Sequence, residues 1–301
     1  MPAAGWTACP GDARNAGKFA ERSGQLIQYL APRHIIMPEK ISSIVLAAGL
    51  ACGLGCPAFA AVPAKNLPLP GEEFALAGHA AFLIPSNKPA NAAAKPWVWY
   101  APTLPGLPGP DEKWLIEQLL AAGIAVAGID VGESYGSPAG RKLFTALYDE
   151  MTATRGYSRR PVLLGRSRGG LMTLSWMADN PDKVGAFAGI YPVCNLTSYP
   201  GVSKAADAYA MTPEELQAKL AQHNPIDRLA GLAKAGVPFF AIHGDVDLTV
   251  PLDANSGLLK ERYTALGGSM EVVVAHGQGH NMWSGFFQCE ALVNFVKLHA
   301  K

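Results

Sequence analysis

Net charge, cysteine and long apolar runs are all scarce in this chain of 301 residues. The formal charge is only +1, and no run of five or six like charges occurs, which leaves no tract for nucleic acid, so no nucleic-acid partner is expected. No apolar stretch reaches the roughly 20 residues of a membrane-spanning helix, so no stable membrane span is expected. There is no H-E-x-x-H pair, no C-x-x-C beyond residue 60 and no Gly-rich phosphate loop. The sequence therefore offers no metal site and calls for no cofactor.

What is present is a globular composition, 49% hydrophobic and 16% charged, with enough apolar side chains for one large core. The first 60 residues read differently from the rest. Residues 37–40 form a short basic start, 41–54 an apolar stretch, and Ala58-Phe59-Ala60 a small-x-small site before Ala61. These are the three regions of a secretory signal peptide. The expectation is an exported protein, periplasmic or extracellular, cleaved near Ala60, with translation starting at Met37 and residues 1–36 a non-native upstream extension. A lipoprotein reading through Cys52 or Cys56 ranks second, because Gly49 and Gly53 stand where such signals carry leucine. Beyond the signal only Cys194 and Cys289 remain. Export permits a disulfide between them, and two buried thiols are equally compatible with the sequence.

From residue 61 onward the pattern is that of one domain. Short strands are expected at 72–77 and 79–84, then a compact apolar strand at 97–100. Helix 112–122, strand 124–129, helix 141–154, strand 162–165, helix 169–179 and strand 185–191 follow in alternation. After an interruption, strand 238–243, helix 253–266, strand 270–275 and helix 283–299 complete it. Short continuous apolar strands belong to a parallel sheet covered on both faces. The expected fold is α/β, doubly wound, with a mostly parallel sheet of about eight strands. Residues 195–228 break the alternation and read as a short helical cap, with a polar helix around 211–222.

Gly165-Arg166-Ser167-Arg168-Gly169-Gly170 fits G-x-S-x-G between a strand and a helix. A sharp turn there lifts the serine hydroxyl clear of the sheet, and the glycines let backbone approach without a Cβ in the way. A serine hydroxyl needs a base. His280, in Gly277-Gln278-Gly279-His280, follows the last strand on a flexible loop, whereas His243 and His276 sit at strand ends and suit structural roles. The base needs a carboxylate on its far nitrogen, and Asp247, deeper in its loop than Asp245, supplies it. Asp245 suits bracing the turn. The order Ser167, Asp247, His280 is that of the α/β-hydrolases.

The stretch from about residue 97 to 299 resembles the α/β-hydrolase superfamily, nearest its dienelactone-hydrolase and prolyl-oligopeptidase catalytic domains. The resemblance implies an oxyanion hole using the N–H of Arg168 and one from the loop after strand 97–100. That loop reads Ala101-Pro102-Thr103-Leu104-Pro105-Gly106 where relatives carry His-Gly-Gly. The prolines cannot donate, which leaves Thr103 or Leu104, and Thr103, which aligns better, is the expected second donor. Arg168 directly after the nucleophile is unusual. Glucuronoyl esterases use an arginine there on the oxyanion, and the alternative is that Arg166 and Arg168 pair with Asp130 or Glu133. Glu133, Tyr135, Tyr199 and Trp283 are candidates for pocket walls at the carboxyl edge of the sheet.

The resulting expectation is a secreted serine hydrolase of short-chain or polar carboxylic esters, acylated carbohydrate included, with a small-molecule or glycan ester as partner. A prolyl-oligopeptidase-type serine peptidase is the alternative. It is placed second because about 36 residues between Ala61 and Trp97 are fewer than the roughly 40–45 of one propeller blade. A non-catalytic binding protein on the same fold comes third, since all three triad positions are filled.

Overall fold

A computed structural model describes residues 65–88 and 95–301. The upstream extension, the signal segment and its two cysteines lie outside the described residues. Strands β1 (Glu72–Leu76) and β2 (His79–Ile84) form an antiparallel hairpin. The turn residues Ala77 and Gly78 both have positive φ, 50° and 80°, the geometry of a two-residue hairpin. Strands β3 (Trp97–Ala101), β4 (Ala125–Ile129), β5 (Val162–Arg166), β6 (Ala186–Ile190), β7 (Phe239–Gly244) and β8 (Met270–Ala275) are parallel. The sheet order is β1-β2-β4-β3-β5-β6-β7-β8. This is the α/β-hydrolase fold.

Successive residues of a strand face opposite ways. Trp99, stacked on Trp97, meets Phe144 of helix α2 (Pro138–Asp149) and Trp176 of α3 (Gly169–Asp179), the α1 side being the other one. On that other face Val98 and Tyr100 pack with Leu115 and Leu119 of α1 (Lys113–Ala121). Adjacent strands β3 and β5 thus send their chains to opposite faces, into α1 and α3. That is a topological switch point, where an open α/β sheet leaves a crevice beyond its strand ends. Helix α3 is buried over every residue from Gly169 to Met177, which accounts for its lack of a polar face.

Between β6 and β7 lie α4 (Val202–Ala205), α5 (Pro213–Ala218), α6 (Leu220–His223) and α7 (Ala230–Lys234). The polar helix expected at 211–222 is two short helices. α5 opens with a capping box in which the Thr212 hydroxyl accepts from Glu215 N–H and Glu215 accepts from Thr212 N–H. Its one buried residue, Leu216, joins Leu196, Ala205 and Tyr209 against Leu171, Tyr135 and Val250, so the helix's apolar side is packed down on the domain. Helices α8 (Ser256–Ala265), α9 (Ser284–Phe287) and α10 (Glu290–His299) complete the chain; the helix expected over 283–299 breaks at Gln288–Cys289. Cys194 and Cys289 are both buried. They belong to the hydrophobic layers on opposite faces of the sheet, which excludes a disulfide between them. Among the described residues no helix is long and apolar enough to cross a membrane, and no cluster of His, Cys, Asp or Glu could hold a metal.

Candidate active site

Ser167 stands between β5 and α3 with φ of 49°, a left-handed conformation that costs a non-glycine residue energy unless its surroundings fix it. They do so here. Ser167 N–H donates to Ile190 C=O at 3.0 Å, and Ser167 C=O accepts from the N–H groups of Gly170 at 2.9 Å and Val193 at 2.8 Å. A Cβ on Gly169 would collide with the Ala101 carbonyl and the Pro102 nitrogen, so α3 can begin this close to β3 only with glycine there.

Ser167 Oγ lies 2.9 Å from His280 Nε2, and His280 Nδ1 lies 2.7 Å from Asp247 Oδ2. A carboxylate only accepts, so the imidazole proton sits on Nδ1 and the Nε2 lone pair faces the serine hydroxyl. Oδ1 of Asp247 accepts from Thr249 N–H at 2.9 Å and Val250 N–H at 2.8 Å. Asp247 is buried. Burial alone would raise its pKa, but interactions with His243, His280 and the Val250 N–H outweigh that and hold it well below the usual carboxylate range. His243 Nε2, 3.6 Å from Asp247 Oδ2, is too far for a good hydrogen bond and acts on Asp247 through space. The fully buried His243 bonds Ser256 Oγ and the Val250 carbonyl, each at 2.8 Å, and so pins the acid turn. Asp245 bonds His276 Nδ1 at 2.8 Å and accepts from Gly277 N–H at 2.7 Å, bracing the loop that leads to His280. The His276 bond, ahead of a small opposing effect of burial, lowers the pKa of Asp245.

A cavity of about 210 Å³ opens at Ser167, lined by His280 and Asn281 and by the more apolar Leu107, Pro102, Tyr191 and Met282. Arg166 and Arg168 line it too. Arg168 follows the nucleophile at the start of α3, where backbone N–H groups face a developing negative charge. Thr103 is buried, its hydroxyl donating to the Ile129 carbonyl, and it does not line the cavity. Lys65 gathers the carbonyls of Thr103 at 2.8 Å, Leu104 at 3.3 Å and Leu107 at 3.4 Å, fixing this loop so that Pro102 and Leu107 face Ser167.

The four expected wall residues also do not line the cavity. Tyr135 is buried under the cap, its carbonyl accepting from Tyr209 OH at 2.9 Å. Tyr199 packs within the cap, and Trp283 turns onto Phe286, ring centres 5.3 Å apart. Glu133 bonds Arg168 at 2.9 Å, as one sequence reading anticipated. Arg166 instead pairs with the buried Glu112, which also accepts from Tyr100 OH and Gly109 N–H, each at 2.8 Å. Tyr191, which sequence reasoning overlooked, directly follows β6 with its ring 4.5 Å from that of His280. Its position at a strand's carboxyl end was the available signal.

Fold and site together define a serine hydrolase. The family model described as the prolyl oligopeptidase family matches residues 144–297, just over half of the chain, and the chain belongs to that family. This membership backs the peptidase alternative better than the ester reading placed first from sequence. No curated protein matches the chain by sequence. Among solved structures, dipeptidyl peptidase 4 of Porphyromonas gingivalis superposes with a TM-score of 0.60 at 16% identity, over 76% of this chain and 35% of that one. The acylaminoacyl peptidase of Pyrococcus horikoshii gives 0.60 at 15%, over 76% and 41%. MPT51 of Mycobacterium tuberculosis gives 0.61 at 15%, over 77% and 100%. The chain thus spans well under half the length of the two peptidases, and at these identities the likeness is one of fold.

Proposed function

We propose that this chain hydrolyses acyl compounds through a covalent acyl-enzyme on Ser167, with a peptide bond as the substrate class that family membership favours. The observation carrying the reading is the unbroken relay from Ser167 Oγ through His280 to Asp247. His280 Nε2 takes the serine proton as Oγ attacks the carbonyl carbon. The Arg168 N–H receives the resulting oxyanion, and Asp247 stabilises the imidazolium. His280 then protonates the leaving group. Water, deprotonated by the same imidazole, attacks the acyl-enzyme and releases the acid.

A carboxylic ester, of short or polar acyl groups including acylated sugars, is the second reading. It is favoured by the small cavity and by its lining. Among the described residues no carboxylate lines the cavity to receive the ammonium of a free peptide N-terminus. Prolyl peptides, acetylated glycans and p-nitrophenyl esters from acetate to palmitate, assayed side by side with Ser167→Ala as blank, separate the two. Peptide cleavage establishes the first reading, and hydrolysis confined to short esters the second. Long-chain preference with a jump in rate on emulsified substrate contradicts both. Export belongs to the same proposal and rests on the signal-like pattern of residues 37–60. Mass spectrometry of the native protein should find a mature N-terminus near Ala61, and an intact 1–36 segment contradicts export.

A further inference from the structure

Both charged residues that line the cavity beside Ser167, Arg166 and Arg168, are cations, and they are neutralised in different ways. Arg166 is 13% exposed and its partner Glu112 only 1%. Glu112 is further held by Tyr100 OH and Gly109 N–H. Separating that pair would strand a buried charge, so Arg166 is a fixed part of the wall, also touching Met282 Sδ at 3.1 Å. Arg168 is held differently. Its 2.9 Å bond to Glu133 joins side chains that are 32% and 44% exposed, and such a pair contributes little to stability. Glu133, which also interacts with the Tyr135 hydroxyl, is 44% exposed and open to exchange with another carboxylate. A guanidinium offers a rigid fork of donors matched to a carboxylate's two oxygens, and this one belongs to a cavity-lining residue next to the nucleophile. The cavity's apolar residues Pro102, Leu107 and Met282 suit an uncharged remainder.

We propose that Arg168 determines specificity by binding a carboxylate that the substrate carries close to its scissile carbonyl, displacing Glu133. The inference rests on the assignment of Ser167 as nucleophile, and its test separates the two. Two alkyl fluorophosphonates of equal length, one ending in a carboxylate and one in the methyl ester, are compared by their rates of labelling Ser167. The serine oxygen bonds to phosphorus and fluoride leaves, the serine proton passing to His280, so the rate reads access and binding whether the natural substrate is an ester or a peptide. In the wild type the carboxylate probe should label at least about tenfold faster, the size of one charge-assisted hydrogen bond. The ratio should fall to near or below one in Arg168→Met, rise in Glu133→Gln, where the competing carboxylate is gone, and shrink as salt is raised. Each ratio is taken within one protein, so any general loss of reactivity in a variant cancels. Equal ratios in all three proteins overturn the inference while leaving Ser167 as nucleophile. Failure of both probes to label Ser167 overturns the underlying assignment instead.

Discussion

Replacing Asp247 with asparagine should disable the site through one proton. Oδ1 of Asp247 accepts two backbone N–H bonds, from Thr249 and Val250, and only an oxygen can take that place. In Asp247→Asn the amide oxygen must occupy it, which turns the NH2 group toward His280 Nδ1. That nitrogen then has to accept, so the imidazole proton moves to Nε2 and points at Ser167 Oγ. The base has lost its lone pair where it is needed, although every heavy atom stays in place. The expected loss in kcat is about 10⁴-fold, the scale of the wrong tautomer in a serine triad. Asp245→Asn, on the exposed brace between His276 and Gly277, should cost a small factor only. The assay is hydrolysis of one activated ester by both variants, with circular dichroism to verify folding. If Asp247→Asn keeps a tenth of the wild-type rate, or if Asp245→Asn is the inactive one, the tautomer reasoning is refuted.

Gly169→Ala should place a methyl against the Ala101 carbonyl and Pro102 nitrogen, lowering stability by about 1–3 kcal/mol and pushing the 102–107 loop off the cavity, visible as a lower Tm together with lost activity. Glu112→Gln leaves Arg166 without its buried counter-charge and should cost about 3–5 kcal/mol in urea unfolding. The folded-state pKa of Asp247 is lowered from an ordinary value of 3.8. Its contribution to stability is therefore present above that value and is lost as pH falls below it toward the folded-state pKa. Thermal unfolding from about pH 5 to pH 2 should show a shallower acid decline in Asp247→Asn than in the wild type.

The sheet was legible because each strand is a compact apolar run between turn residues, and all eight lie within a residue or two of their expected positions. Helix ends were less so. Expected from residue 141, α2 starts at Pro138 behind Ser137, whose hydroxyl accepts from Gly140 N–H at 3.3 Å; Ser-Pro is a start signal that the sequence did carry. The triad residues were identifiable because each sits in a local pattern tied to a strand end. The cavity wall was not. Trp283 turns onto its own neighbour Phe286, a choice of rotamer that no residue pattern encodes, and the Thr103 hydroxyl finds its partner on Ile129, 26 residues away. The partner of Arg166 lies 54 residues away and shares no pattern with it.

The central claim is that Ser167 is the nucleophile of this site. A neutral fluorophosphonate followed by peptide mass spectrometry tests it most directly. The account predicts a single adduct, on Ser167, absent from Ser167→Ala and formed far more slowly by Asp247→Asn. An adduct on any other residue, or undiminished hydrolysis by Ser167→Ala, contradicts it.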